Sequence, residues 1–487
     1  MLPLLVVTAY MIVLVSVGVA KSKSVHDQTG FTLAGRSLGP LVLVGTLLAT
    51  WTGTGSIFGN AEEAYGVGFP ALVLPFAAVF GILVLQVMIP GVRRRGRFTL
   101  QDILEDSFGP AARVLGTLTL VIAYLVIVSY QIRAASVVLE RVLSEAGFLV
   151  DAGPQAAHAL SMVTVAVLIG AYTALAGLMS VAFTDGVNGV LMLVGVTAAL
   201  PLLWSAAGGL DGVMAALPES GRSFTGHYSR FDIASILLPS FLLVVGDANL
   251  HQRFLAAPTT AAARRAAWLL IPGVLIVDGV ILLVAMAGRS LLPELSNPGH
   301  VILELALTQL PVALGALLVA SILAIIVSTA DSYLLSSASA LVHDIYRRFF
   351  RREASGSQLL RASRLTVGGL TVIALGLAFT SDEFFSVALF AYTIYGVGIT
   401  PPLLAALFWR RATPAGAAAS MVTATSVALW WKLFDRSEWA AQLLGQPEGT
   451  KVDAVVPAII VAAVALVGVS LMTRPRVRGE GSTQPGD

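Results

Sequence analysis

The sequence predicts an all-α polytopic membrane protein of thirteen transmembrane helices, and three observations carry that prediction. Of 487 residues, 56% are hydrophobic and only 12% charged, about half the charge typical of a soluble globule. The mean hydropathy is +0.85. Apolar runs near the ~20 residues that a helix needs to cross a bilayer core recur along the whole chain.

Division at polar, charged and Pro/Gly-rich breaks places the spans at about 2–20, 39–64, 69–90, 112–142, 155–175, 180–203, 232–256, 266–290, 301–342, 365–381, 384–409, 412–432 and 453–473. The first lacks the basic n-region of a signal peptide and has a longer apolar stretch, so it is read as a retained span. The ninth is too long for one straight crossing. Its beginning, from His300 to about Leu310, is expected at the interface or in an outer loop, with Pro311 opening the membrane helix. The tail at 474–487 is polar and expected to be disordered and cytoplasmic.

Loop charge sets the expected orientation. With the N-terminus outside and the C-terminus in the cytoplasm, 22 of the 30 Lys and Arg fall on the inner side. They include Lys21, Lys23 and Arg36, the run Arg93, Arg94, Arg95 and Arg97, then Arg253, Arg264 and Arg265, and Arg347, Arg348, Arg351 and Arg352. Only Arg133 stands inside a span. A plasma or inner membrane is the expected location.

Several chemistries are excluded. The absence of cysteine removes disulfides, thiolate metal sites and thiol nucleophiles. Six histidines include no pair at i,i+3 or i,i+4, and no GxxxxGK[ST] phosphate loop occurs. A net charge of +2 offers no basic field for nucleic acid. No His pair, acid pair or nucleophile with its base is placed to make an intramembrane enzyme.

Two spans are interrupted in matching places. The second, GTLLATWTGTGSIFGNAEEAYG, clusters Gly53, Gly55 and Gly59 where the bilayer midplane falls. Glycine costs about 1 kcal/mol relative to alanine in a helix, so the helix is weakened there or admits a close neighbour. The seventh, DIASILLPSFLLVVGDANLHQRF, carries Pro239 and then Gly246, Asp247 and Asn249. An offset of five spans reverses the second unit relative to the first. Interrupted helices in two inverted units point to a secondary-transporter site, where unwound backbone offers carbonyls to a cation and half-helix ends to a solute. The expected division is an extra helix and loop at 1–38, repeats at 39–203 and 204–409, two peripheral helices at 410–473, and the tail.

Ionisable residues inside spans are costly and are functional or paired. Asp185 stands near the inner end of span six, where it attracts a cation leaving toward the cytoplasm or caps at the interface. Asp247 lies in the break of span seven, as a counter-charge for a cationic group, a proton carrier, or a cap on the half-helix. In SILAIIVSTADSYLLSSASALVHDIYRR, Ser328 and Thr329 stand one turn after Ile325, and hydroxyl and carbonyl oxygens of this kind suit a weakly held monovalent hard cation. Asp331 pairs with an arginine or water, and Ser336, Ser337 and Ser339 are expected to bond back to their own helix. Arg133 pairs across the bundle or snorkels; Asp278, with no motif around it, is read as a structural pair.

The motifs FTLAGRSLGP, ATWTGTGS, GLMSVAFTD, GDANLHQRFLAA and STADSYLLSSASALVHDIY, in this order, resemble the sodium:solute symporter family over nearly the whole chain. The resemblance implies the five-plus-five inverted repeat of the bacterial leucine transporter. It implies a sodium site built from the carbonyls of Ala49, Thr52 and Ile325 and the hydroxyls of Ser328 and Thr329, with Asp185 on the sodium path. Trp51 matches the aromatic that contacts a quaternary ammonium in the choline-transporter branch, an attraction of about 0.5–2 kcal/mol. The chain departs from that branch where Asp247 replaces a tryptophan, which favours a cationic or zwitterionic solute. Gly53, Tyr130 and Gln131 complete the implied substrate contacts. The expected activity is sodium-coupled import of a small organic solute by alternating access, with sodium, solute and bilayer as partners; a sensor module acting through a separate partner is the alternative.

Overall fold

Helix starts are written in the sequence. Thr99, Ser229 and Ser355 each accept from the backbone N–H three residues on while Asp102, Asp232 and Gln358 bond back, closing capping boxes. Thr259 and Thr413 cap in the simpler way, and Pro40 and Pro110 open helices where no N–H is needed.

The computed structural model describes residues 1–22, 38–96, 99–148, 153–224, 228–380, 384–443, 445 and 452–474. Most of the FTLAGRSLGP motif and the tail from 475 lie outside the described residues. In chain order the helices are α1 (Leu2–Ser22), α2 (Pro40–Trp51), α3 (Gly55–Val67), α4 (Phe69–Arg94), α5 (Leu100–Phe108), α6 (Pro110–Glu145), α7 (Pro154–Leu175), α8 (Ser180–Ala206), α9 (Gly209–Ala216), α10 (Arg230–Gly246), α11 (Ala248–Ala256), α12 (Thr260–Leu291), α13 (Val301–Thr308), α14 (Val312–Phe350), α15 (Gly356–Ala378), α16 (Phe384–Phe408), α17 (Pro414–Leu433), α18 (Ser437–Leu443) and α19 (Val455–Met472). No strand occurs among the described residues.

By length and hydropathy ten spans among the described residues can cross a membrane, with α10 and α11 together forming one of them, or eleven when the bent pair α2 and α3 counts as one more. The count of thirteen adds α1, an apolar helix over Leu2–Val13 at least, and α17, a helix that falls short of that measure because its run PAGAAASMVTATS is diluted by small and hydroxylic residues.

Both expected breaks occur. The helices α2 and α3 meet at 55°, and Thr52 between them is extended at φ −77°, ψ 109°. Asp247 separates α10 from α11 with φ −62°, ψ 110°. The short α5 ahead of α6 has a counterpart in the short α13 ahead of α14, so matching features recur in the two halves. As expected, Pro311 is the N-cap of α14, and the stretch before it forms the separate α13.

The central helix is α14, with Ser328 through Ala340 wholly buried. It packs most extensively on α7 and α8, then on α6, while α2 lies along α8 and α10 between α4 and α16. Between α7 and α8 the chain turns on Gly177, whose φ of 69° and ψ of 169° belong to a region open only to glycine. A second glycine requirement lies where α2 crosses α8: a Cβ on Gly45 would stand 3.0 Å from the Cα of Gly186.

Candidate functional site

The break after Trp51 exposes helix-end carbonyls that have no partner within their own helix. A hydroxyl of α14 lies among them. Thr329 Oγ1 is 3.0 Å from the Ile325 carbonyl, 3.2 Å from that of Thr52 and 3.4 Å from that of Ala49. Ser328 Oγ is 3.5 Å from the Ala49 carbonyl. The residues expected to hold sodium are therefore brought together.

The donor count fits a cation. Thr329 has one proton to offer these three carbonyls, and Ser328 donates its own to Asp185 Oδ1. Thr52 Oγ1 is buried without a hydrogen-bond partner. An excess of oxygen lone pairs over protons in a dry pocket is the composition that a hard monovalent ion satisfies.

Gly53 explains the close fit. A Cβ there would meet Gln131 Nε2 at 2.9 Å and Thr329 Cγ2 and Oγ1 at 3.0 Å. Gly53→Ala is thus expected to displace Thr329 and raise the sodium concentration for half-maximal uptake severalfold; sodium titration of transport in the variant checks it, and an unchanged curve would separate Gly53 from the ion.

Beneath this cluster lies a network that the sequence reading placed elsewhere. Arg253, counted above with an inner loop, is fully enclosed in α11. Its guanidinium reaches Asp185 Oδ2 at 3.0 Å, Ser332 Oγ at 2.6 Å and Thr46 Oγ1 at 2.8 Å, and also bonds the Asn249 side chain. Thr46 donates in turn to Asp185 at 2.5 Å. One planar fork therefore joins α2, α8, α11 and α14, which arginine can do and a point-charge lysine cannot. Asp185, buried and paired, is no interfacial cap. Asp331 lies in the same region, 1% exposed, with Oδ2 lacking a hydrogen-bond partner. Ser336 does not bond back to its own helix as expected but crosses to Gln252 at 2.8 Å and Asn249 at 3.2 Å, because the polar face of α11 is turned toward α14.

On the other side of the break stand the implied substrate residues. Tyr130 and Tyr392 hydroxyls are 3.3 Å apart. Gln131 Oε1 accepts from both the amide and the hydroxyl of Thr54. Trp51 donates its indole N–H to Asp278 at 3.3 Å, the pairing that no local motif announced. Asp247 lies in the break between α10 and α11. Its carboxylate caps α11 through the Asn249 amide at 2.9 Å and accepts from Tyr124 and, at 3.5 Å, from Tyr333. Tyr395 completes that enclosure by donating to the Gly246 carbonyl at 2.8 Å and accepting from the Ala248 amide at 2.9 Å. Arg133 donates to the carbonyl of Ala378 at 3.0 Å.

The two ends of this region differ. At one, Phe58 packs on Phe384 and His300 with ring centroids 5.0 and 6.1 Å apart. At the other, toward the arginine-rich loops, a small cleft lies between α5, α11 and α14, lined by Gln101, His251, Gln252, Ser336 and Ser339 among others. Beside it Asp102, His343 and Asp344 lie close enough to share a metal ion. Arg113 already serves as the cation there, pairing with Asp102, with Glu105 at 2.9 Å and with Asp344 at 3.8 Å.

A bundle of interrupted helices enclosing oxygen ligands at their breaks defines a membrane transporter with the leucine-transporter-like fold. A solved structure described as a sodium-coupled sialic acid symporter in a substrate-bound, outward-open state superimposes with a TM-score of 0.80, at 17% identity and 98% coverage of both chains. The family model of the sodium:solute symporter family matches residues 31–424, and the chain belongs to that family. Among curated relatives, the high-affinity proline transporter PutP of Bacillus subtilis (strain 168) is 24% identical over 88% of this chain and 92% of its own. The high-affinity choline transporter 1 of Drosophila melanogaster is 25% identical over 83% of this chain and 66% of its own. The protein is an integral membrane transporter and not an enzyme.

Proposed function

We propose that this transporter couples the entry of a small cationic or zwitterionic organic solute to that of sodium by alternating access. The observation that carries the reading is the Thr329 hydroxyl held among the carbonyls of Ala49, Thr52 and Ile325. Sodium bound there, with Ser328 as a further ligand, joins α2 to α14. Asp185 bonds Ser328 on one oxygen and Arg253 on the other, a position that suits a stepping point on the sodium's way to the cytoplasm. Trp51, Gly53, Tyr130, Gln131 and Asp247 border the solute's space.

The recurrent features support two inverted repeats at 39–203 and 204–409, flanked by 1–38 and 410–473. Basic loops support an outside N-terminus. In that orientation the aromatic contact of Phe58 closes the outer side and the small cleft between α5, α11 and α14 faces inward. Sodium and solute stabilise one another's binding by the same free energy, and each inward charge gains about 2.3 kcal/mol per 100 mV of membrane potential.

Uptake into proteoliposomes tests the proposal, using labelled L-proline, choline and glucose with an imposed sodium gradient. At least one should accumulate with sodium outside and fail to do so when potassium replaces it. Flux that persists unchanged under potassium or a proton gradient alone would overturn the sodium coupling.

A further inference from the structure

Trp51, from α2, and Asp278, from α12, are 227 positions apart in the chain and meet at the break beside the sodium cluster. We infer that Asp278 is the counter-charge for a solute's ammonium group, and so selects solutes that carry one; the inference rests on the symport reading above.

The carboxylate is 1% exposed. It accepts the indole N–H of Trp51 on Oδ2 at 3.3 Å and the Ser56 hydroxyl, both neutral donors. Its Oδ1 has no hydrogen-bond partner, and among the described residues Asp278 forms no ion pair. A buried carboxylate that faces only neutral donors is costly, and a cationic partner offsets that cost. Asp331 also has one oxygen without a hydrogen-bond partner, but it stands in the field of Arg253. Asp185 has Arg253, and Asp247 has a backbone amide and tyrosine hydroxyls.

The surroundings suit an alkylammonium. Trp51 supplies an aromatic surface next to the carboxylate, and cation–π attraction adds to the charge pairing. Ser56 of α3 lies beside Asp278. The neighbouring Gly55 lets the Tyr392 hydroxyl approach to 2.5 Å from where a Cβ would stand, and Tyr392 meets Tyr130. The same break presents a second unsatisfied group of opposite kind. Gln131 Nε2 is buried without a partner and stands 2.9 Å from a Cβ position on Gly53. An unused acceptor with a charge and an unused donor, both against one stretch of α2 and α3, match the two ends of a zwitterion: ammonium to Asp278 and carboxylate oxygen to Gln131.

Asp278→Asn keeps an acceptor for Trp51 while deleting the charge. In the sodium-driven proteoliposome assay it should raise the KM for L-proline or choline, whichever the native protein carries, by about tenfold or more. Half-saturating sodium, measured as sodium-dependent thermal stabilisation without solute, should be unchanged. Asp278→Glu should restore most of the affinity. If the native protein takes up L-proline or choline with sodium and Asp278→Asn leaves KM unchanged, the inference fails while the symport reading stands. It fails likewise if glucose alone is carried. Absence of sodium-driven flux for every solute overturns the symport reading instead.

Discussion

Replacing Ser328 and Thr329 together by alanine is expected to raise the sodium concentration for half-maximal uptake between ten- and a hundredfold. Hydrogen bonds and ligand contacts to charged groups are worth about 1.5–3 kcal/mol each, and tenfold in affinity is about 1.4 kcal/mol. Two hydroxyls are lost and water recovers part of their role. Thr329→Ser alone should change little, since the oxygen among the three carbonyls is retained. A sodium titration of uptake separates these cases, and an unchanged midpoint in the double variant would move the ion to another site.

Arg253→Ala is expected to have the largest effect on stability. The guanidinium is fully enclosed, and it is the salt-bridge partner of Asp185, likewise fully enclosed. Removing one member of a buried pair costs about 3–5 kcal/mol, a large part of the roughly 5–15 kcal/mol that holds a protein folded. Membrane yield should fall and the melting temperature in detergent should drop by several degrees. The double variant Arg253→Ala with Asp185→Asn removes the stranded charge and should recover part of the loss. If the double variant unfolds no later than the single one, Asp185 is not the charge that Arg253 neutralises. Arg253→Lys should fall between, since a lysine keeps the charge but cannot reach Thr46, Asn249, Asp185 and Ser332 at once.

What the sequence made legible was local. Hydropathy located most of the helices within a few residues because crossing a bilayer depends on each stretch by itself, but α12, α14 and α15 run on into polar sequence beyond the expected 266, 342 and 365. Pro311 and the Gly53 and Asp247 breaks were readable for the same reason. The Ser328, Thr329 and Ile325 oxygens were found because helical spacing already puts them on one side. Arg253 was misplaced by counting cations as loop markers, although Asn249 and Arg253 at i,i+4 already described a polar face on α11. Asp278 was unreadable from its neighbours because its partner lies 227 positions away. Ser336 went astray because a serine in an apolar helix turns to its own backbone only when no polar neighbour is in reach, and α11 supplies two.

The glycine crossing of α2 and α8 has a mechanical meaning. Where Gly45 meets Gly186 and Gly189, backbone touches backbone with no ridge of side chains between. Two helices in such contact can slide without any rotamer having to change. The adjoining residues, Thr46 and Asp185, carry the bond that ties the same pair together. A smooth bearing and a polar pin thus lie side by side where α2 crosses α8.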